Sequence, residues 1–252
     1  MADFFRAVAA EGVKIRGTLA RRLCWVAPLV VVGLDVAMLL VRKFGDRPVP
    51  APAEAWLSFA QEAFGLWTFL MLPLFITLQS ALLAQLEHGE RQWKHLLALP
   101  VGKTVHYHAK VAVLVAMIFS AFLFLGIFIL IGGHFLAWAK PSLGIAGPGP
   151  FGYLLTKSLQ VFLISTAMIT IHTWIAIRWT SFTVAVATGM SATVIGFLVG
   201  QSEYRAYYPW SMALQVLGGK AVEPGPAIAT ALLVAAVAYG LGLWDFRRRE
   251  FS

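Results

Sequence analysis

Few side chains in this sequence could do chemistry, and several of those lie inside long apolar runs. Asp35 interrupts the run 23–41. A carboxylate at mid-membrane depth costs a few kcal/mol, so it faces protein or water. Two uses are open: a polar contact or protonation site in a translocation path, or a residue near enough to the outer interface to reach headgroups or Arg42. His172 lies in the run 158–177, with Thr166, Thr170 and Thr173 at spacings of four and three. It suits either a proton relay or a histidine hydrogen-bonded between helices. Gln79 and Gln85, with Thr77 and Ser80, could make a polar pore wall. Pro73 in the same run removes a backbone donor and is expected to kink that helix. Thr188 and Ser191 offer hydroxyls in the run 182–200, for packing or for lining a path.

Other chemistries lack their parts. His88, His95, His106 and His108 are near one another in sequence, but no cysteine or well-spaced carboxylate pair completes a ligand set, so no metal is expected. Cys24 is the one cysteine, which excludes an intramolecular disulfide. There is no nucleophile–base pair and no catalytic carboxylate pair. The phosphate loop G-x-x-x-x-G-K-S/T is absent, so this chain is not expected to be an enzyme or to bind ATP in that way.

The elements that must carry these residues are membrane helices. The chain has 252 residues, 59% hydrophobic and 13% charged, with a mean hydropathy of +0.76. Soluble domains average about a quarter charged. A bilayer core takes about 20 apolar helical residues. Six runs qualify, at about 23–41, 65–86, 111–131, 158–177, 182–200 and 227–244. The expected fold is a single all-α membrane domain over 1–252. Of the 20 lysines and arginines, an inside N-terminus puts 13 in the cytoplasmic segments and 7 on the other side, which predicts both termini cytoplasmic. The bias is locally weak at Arg42, Lys43 and Arg47. A net charge of +8 in so apolar a chain points to basic loops facing anionic lipid and not to nucleic acid. The basic residues spread over 1–22, and Asp35 breaks the apolar run, so a cleaved signal peptide is not expected.

Within 1–22, Phe5, Val8, Gly12, Ile15, Leu19 and Leu23 recur every three or four residues, with Arg6, Lys14, Arg16 and Arg21 off that stripe. This predicts an amphipathic helix in the cytoplasmic interface. In the fifth run, Thr188, Ala192, Gly196 and Gly200 form a small-residue stripe suited to close helix packing. The aromatic stretch with Tyr204, Tyr207, Tyr208 and Trp210 is expected to dip into the outer interface.

Segment 87–100, "EHGERQWKHLLALP", lies between the second and third runs. Trp93, Leu96, Leu97 and Leu99 stand beside Glu87, Glu90, Arg91 and Lys94, and Pro100 stops the helix. An aromatic anchor with charged flanks suits either a protein pocket or lipid headgroups. The glutamate, "WKHLLALPV" and the lysine that opens the next run, Lys110, resemble the permease subunits of type-2 ABC exporters. The branch most resembled is that of lantibiotic and bacteriocin immunity permeases. "YYPWSMAL" at 207–214 resembles the outer loop of that family. The resemblance implies six membrane helices with an interfacial N-terminal helix, a second permease (identical or homologous), and two separate ATPase subunits carrying ATP and Mg. It implies that Glu87, Glu90, Trp93, Lys94, Leu96, Leu97, Leu99 and Pro100 form a coupling helix seated in an ATPase. It implies export from a cell membrane, a bacterial inner membrane, of an amphipathic or lipid-associated compound such as an antimicrobial peptide. A proton-coupled carrier using Asp35 and His172, or a membrane scaffold without transport, are the alternatives.

Overall fold

The computed structural model describes residues 2–42, 49–88, 101–217 and 224–249. All regular structure among them is helical. Helix α1, Ala2–Lys14, is followed by a turn in which Gly17 takes φ 77°, a left-handed conformation that suits glycine. Helix α2 spans Leu19–Val41. Helix α3, Pro52–Leu66, starts with proline in its first turn, where the missing N–H costs nothing. It runs through a π-helical turn, Trp67–Met71, into α4, Leu72–His88. The π turn falls just before Pro73, where an ordinary ladder would meet the proline ring. Helix α5 spans Lys103–Ala139, and α6 Phe151–Arg178. Helix α7, Phe182–Val199, is capped by Ser181, whose Oγ accepts from Val184 N. A short α8, Pro209–Gln215, precedes α9, Pro224–Arg248.

Among the described residues, six stretches are long and apolar enough to cross a membrane: Leu19–Val41, Pro52–His88, Lys103–Ala139, Phe151–Arg178, Phe182–Val199 and Pro224–Arg248. They coincide with the six expected runs, but two are much longer than expected. Each of these has 37 residues, about 55 Å of helix, well beyond a hydrocarbon core of about 30 Å. The additions are most of α3 and both ends of α5, and the last turns of α5 pack on α3. Trp56 and Phe59 are buried against Gly132 and Gly133. A Cβ on Gly133 would collide with the Trp56 ring. Glu54, Gln61 and Glu62 break up hydropathy in α3, which hid this helix from a search for apolar runs.

Further corrections concern the N-terminus, the fifth span and the loop after it. The first helix ends at Lys14 and not at Arg22, because Gly17 breaks the stripe. Its inner face lies on α5. The buried face of α7 is Ala185, Gly189, Thr193 and Gly196. It shares only Gly196 with the expected stripe, and Thr188 points outward. Helix α8 is packed inside the protein: Trp210, Ser211, Met212 and Ala213 are buried, and the Trp210 backbone sits against Gly196. Tyr204 and Tyr207 remain exposed.

Helix association in lipid depends on close van der Waals packing. Gly133→Leu is therefore expected to displace Trp56 and destabilise the protein by about 1–3 kcal/mol, the usual range for overpacking. Thermal unfolding in detergent checks this. Gly126→Ala, with nothing within 4 Å of its new Cβ, should not lower the midpoint.

Candidate functional site

The strongest electrostatic feature lies where α4 ends and α5 begins. Lys14 Nζ donates to Glu11 Oε1 at 2.5 Å and to Glu87 Oε1 at 3.0 Å. Lys110 Nζ donates to Glu11 Oε2 at 3.0 Å and lies 2.6 Å from Glu87 Oε2. Two lysines and two carboxylates thus alternate around a closed ring. The Glu87 and Lys110 side chains are 0% and 1% exposed, and Glu11 is 3% exposed. Burial by itself pushes the Glu11 carboxyl up, but Lys110 and Lys14 outweigh it and hold it below the usual carboxylate range. Burial likewise disfavours the Lys14 ammonium, and Glu11 and Glu87 more than reverse that, raising it.

Neighbouring contacts extend this base. His88 Nε2 lies 3.0 Å from the Ala176 carbonyl of α6. Arg249 donates to the carbonyls of Ile177 and Arg178, satisfying the end of α6. Lys103 reaches the carbonyls of Arg247 and Arg249. Asp245 accepts from Trp174 Nε1 at 3.2 Å and pairs with Arg178 at 3.3 Å. The two roots of segment 89–100 are in this way tied to α1, α5, α6 and α9.

Glu87 faces the buried ring. Glu90, Trp93, Lys94, Leu96, Leu97, Leu99 and Pro100 lie outside the described residues. Glu11 was not singled out from the sequence, and Lys14 only as a basic residue off the apolar stripe. The available signal was an acid on the apolar face of α1, three residues after Val8 and four before Ile15.

A second polar group sits where α4, α6, α7 and α8 meet. The Thr77 hydroxyl donates to Pro73 O at 2.9 Å and lies 3.2 Å from His172 Nε2. With its one proton given to Pro73, Thr77 accepts from His172, which assigns the proton to Nε2. The His172 ring meets Trp210 edge-on at 5.4 Å. Gly189 closes the group, since a Cβ there would strike Thr77 and His172. Gln79 is fully buried, and its Nε2 donates to Ala20 O at 2.8 Å, pinning α4 to the first turn of α2. Gln85, Thr188 and Ser191 are exposed on the outer surface of the helices. Asp35 is buried with Glu62 as its charged neighbour, and its Oδ2 has no hydrogen-bond partner among the described residues. The surroundings of Asp35 and of His172 do not overlap.

The histidines also separate. His106 is buried, with the charges of Lys14, Glu11, Lys110 and Glu87 around it, whereas His108 Nδ1 meets the Tyr239 hydroxyl. Among the described residues no three metal-ligating side chains come together.

A family model described as ABC-2 family transporter protein matches residues 7–200, more than half of the chain. The match takes in both lysines and both carboxylates of the buried ring and stops before 207–214. No curated protein and no solved structure matches the chain.

Removing one member of a buried ion network leaves its partner uncompensated, at about 3–5 kcal/mol. Lys110→Met and Glu87→Gln should therefore each lower thermal stability, and the double variant should lose less than the sum of the two, by a coupling above ~1 kcal/mol. The pH dependence follows from the two shifts. Glu11, lowered from 4.5, stabilises the fold above that value, and this is lost as pH falls through its folded value. Lys14, raised from 10.5, stabilises below that value, and this is lost as pH rises through its folded value. These two groups should lower the unfolding midpoint at the acid and alkaline limits, and Glu11→Gln should flatten the acid limb.

Proposed function

The chain belongs to the ABC-2 family of transporter proteins, and from that premise we propose that it is the exporting membrane half of an ATP-driven pump. As a permease of this family it is an integral membrane protein that works with an ABC ATPase and is not itself catalytic. In our reading two such permeases, identical or homologous, stand above two ATPase subunits that bind ATP and Mg. Segment 87–100 is the coupling element, with Trp93 as its anchor. Both termini face the cytoplasm, in a bacterial inner membrane. The cargo is an amphipathic or lipid-associated compound, an antimicrobial peptide among the candidates, moved outward.

The observation that carries this reading is the anchoring of both roots of segment 89–100. A displacement entering there meets the buried ring at Glu87 and Lys110 and the polar ties of His88 and Lys103. It would be passed to α1, α5, α6 and α9 together and not absorbed in a loose loop. ATP turnover would then act by shifting the balance between two arrangements of the helices. The exposed apolar face of α7, with Val184, Met190, Val194 and Leu198, is available to lipid or to a second permease.

Affinity co-purification with any ABC ATPase encoded beside this chain tests the reading. The native protein should retain the ATPase. Trp93→Ala should weaken retention roughly thirty-fold, as loss of an interface anchor does. Trp93 serves better than Glu87 here, because Glu87→Ala would also break the buried ring. Absence of any ATPase from the native complex in several detergents would sink the proposal. So would ATP-independent transport that follows a pH gradient and is lost in Asp35→Asn.

A further inference from the structure

A groove of about 730 Å³ opens on the side of the bundle between α1, the turn after it, the start of α2 and one face of α5. It is within the size range of small-molecule sites. Small residues make it: Gly12 and Gly17 on one wall, Ala112 and Ala116 on the other. On α5 its floor runs from Ala112 to Phe124, about 18 Å of helix, close to the depth of one leaflet in a core of about 30 Å. Its lining is mostly apolar. The hydroxyl of Ser120 and the thiol of Cys24 are turned to carbonyls of their own helices, at Met117 and Ala20. The floor therefore presents little polarity to an occupant.

The mouth is different. Arg21 and Arg22 both line it, both are exposed, and neither has an acidic partner among the described residues. Glu11 of α1 and Glu87 of α4 are already committed to Lys14 and Lys110. Trp25, partly exposed one turn further on, adds an amphipathic ring at headgroup depth. Two unneutralised guanidiniums above an apolar trough one leaflet deep complement a molecule with an anionic head and a hydrocarbon chain.

We propose that this groove is a binding site for one anionic phospholipid, its phosphate held by Arg21 and Arg22 and an acyl chain lying along α5 from Ala112 to Phe124. The bound lipid fills the space left between α1 and α5 and fastens α1, which carries half of the buried ion ring, to the membrane. Guanidinium suits this role because its fork can hold two phosphate oxygens at once. The site is distinct from the proposed ATPase contact, and its test needs no ATPase.

The test is native mass spectrometry of the full chain in detergent, titrated with phosphatidylglycerol or phosphatidylcholine. The native protein should hold one phosphatidylglycerol about thirty-fold more tightly than phosphatidylcholine, from two basic side chains near an anionic head. Arg21→Gln with Arg22→Gln should bring phosphatidylglycerol down to the phosphatidylcholine level. Ala116→Phe, at a position open to the groove, should displace both lipids with the arginines intact. Arg247→Gln with Arg248→Gln, a basic pair elsewhere, should change neither. Thermal unfolding gives a second readout: phosphatidylglycerol should raise the midpoint of the native protein and not that of the Arg21/Arg22 variant. The site is overturned if that variant keeps its preference for phosphatidylglycerol, or if Ala116→Phe binds lipid as the native protein does.

Discussion

The buried ring of Glu11, Lys14, Glu87 and Lys110 is the constraint on which the rest of the base depends. Taking an ion out of water costs several kcal/mol, and the cost is met only when each charge finds opposite partners in good geometry. Here each ammonium contacts both carboxylates, so the group is neutral as a whole. No pair within it would be sufficient. Without α1, Lys110 would lose Glu11, and Lys14 would carry its charge to the surface. Helix α1 must therefore dock on α5 at one register, with Glu11 inward, before the α4–α5 junction is electrostatically complete. An amphipathic helix that would otherwise rest on lipid becomes part of the bundle.

Across the bundle a second organising device is steric. Several helix junctions share one pattern, a glycine facing a larger ring or branched side chain. Gly133 meets Trp56, Gly189 meets Thr77 and His172, Gly196 meets Trp210, and Gly242 meets Tyr107 and Trp174. Lipid chains are as apolar as the side chains they compete with, so burial alone does little to hold membrane helices together. Close approach at a glycine brings many dispersion contacts that lipid cannot match. Hydrogen bonds then fix rotation: Gln79 to Ala20, Thr77 with His172, and Tyr208 to Ala192.

These two devices explain what was legible in the sequence. Six spans could be counted because length and hydropathy are local properties, and the resemblance to type-2 ABC exporter permeases rested on residues close together in the chain. Glu87 and Lys110 were visible as part of that pattern. Their engagement with Glu11 and Lys14 was not, since Lys110 and Glu11 are 99 residues apart. The period of the small-residue stripe on α7 could be read, but its phase could not. Phase is set by Thr77, His172 and Trp210, which belong to three other helices. Helix α3 escaped because its apolar positions, Trp56, Phe59, Ala60 and Ala63, form a stripe interrupted by acids, a pattern of amphipathic helices and not of uniform spans.

Rigidity at the base limits where the bundle could change shape. The ring joins α1, α4 and α5, while Arg249, Lys103 and Asp245 join α5, α6 and α9. Two arrangements that differed by separating these elements would have to expose or unpair buried charge. The backbone offers a cheaper place in the second span. At Trp67–Met71 the hydrogen-bond ladder changes to the π pattern, and Pro73 removes a donor just beyond it. π turns and prolines are where long helices bend. The Thr77 hydroxyl, on the carbonyl of Pro73, sits one turn below and contacts His172. A base that moves as one body and a second span that bends at 67–73 would together alter the His172 junction first, which places that polar group at the joint of the molecule instead of in its foundation.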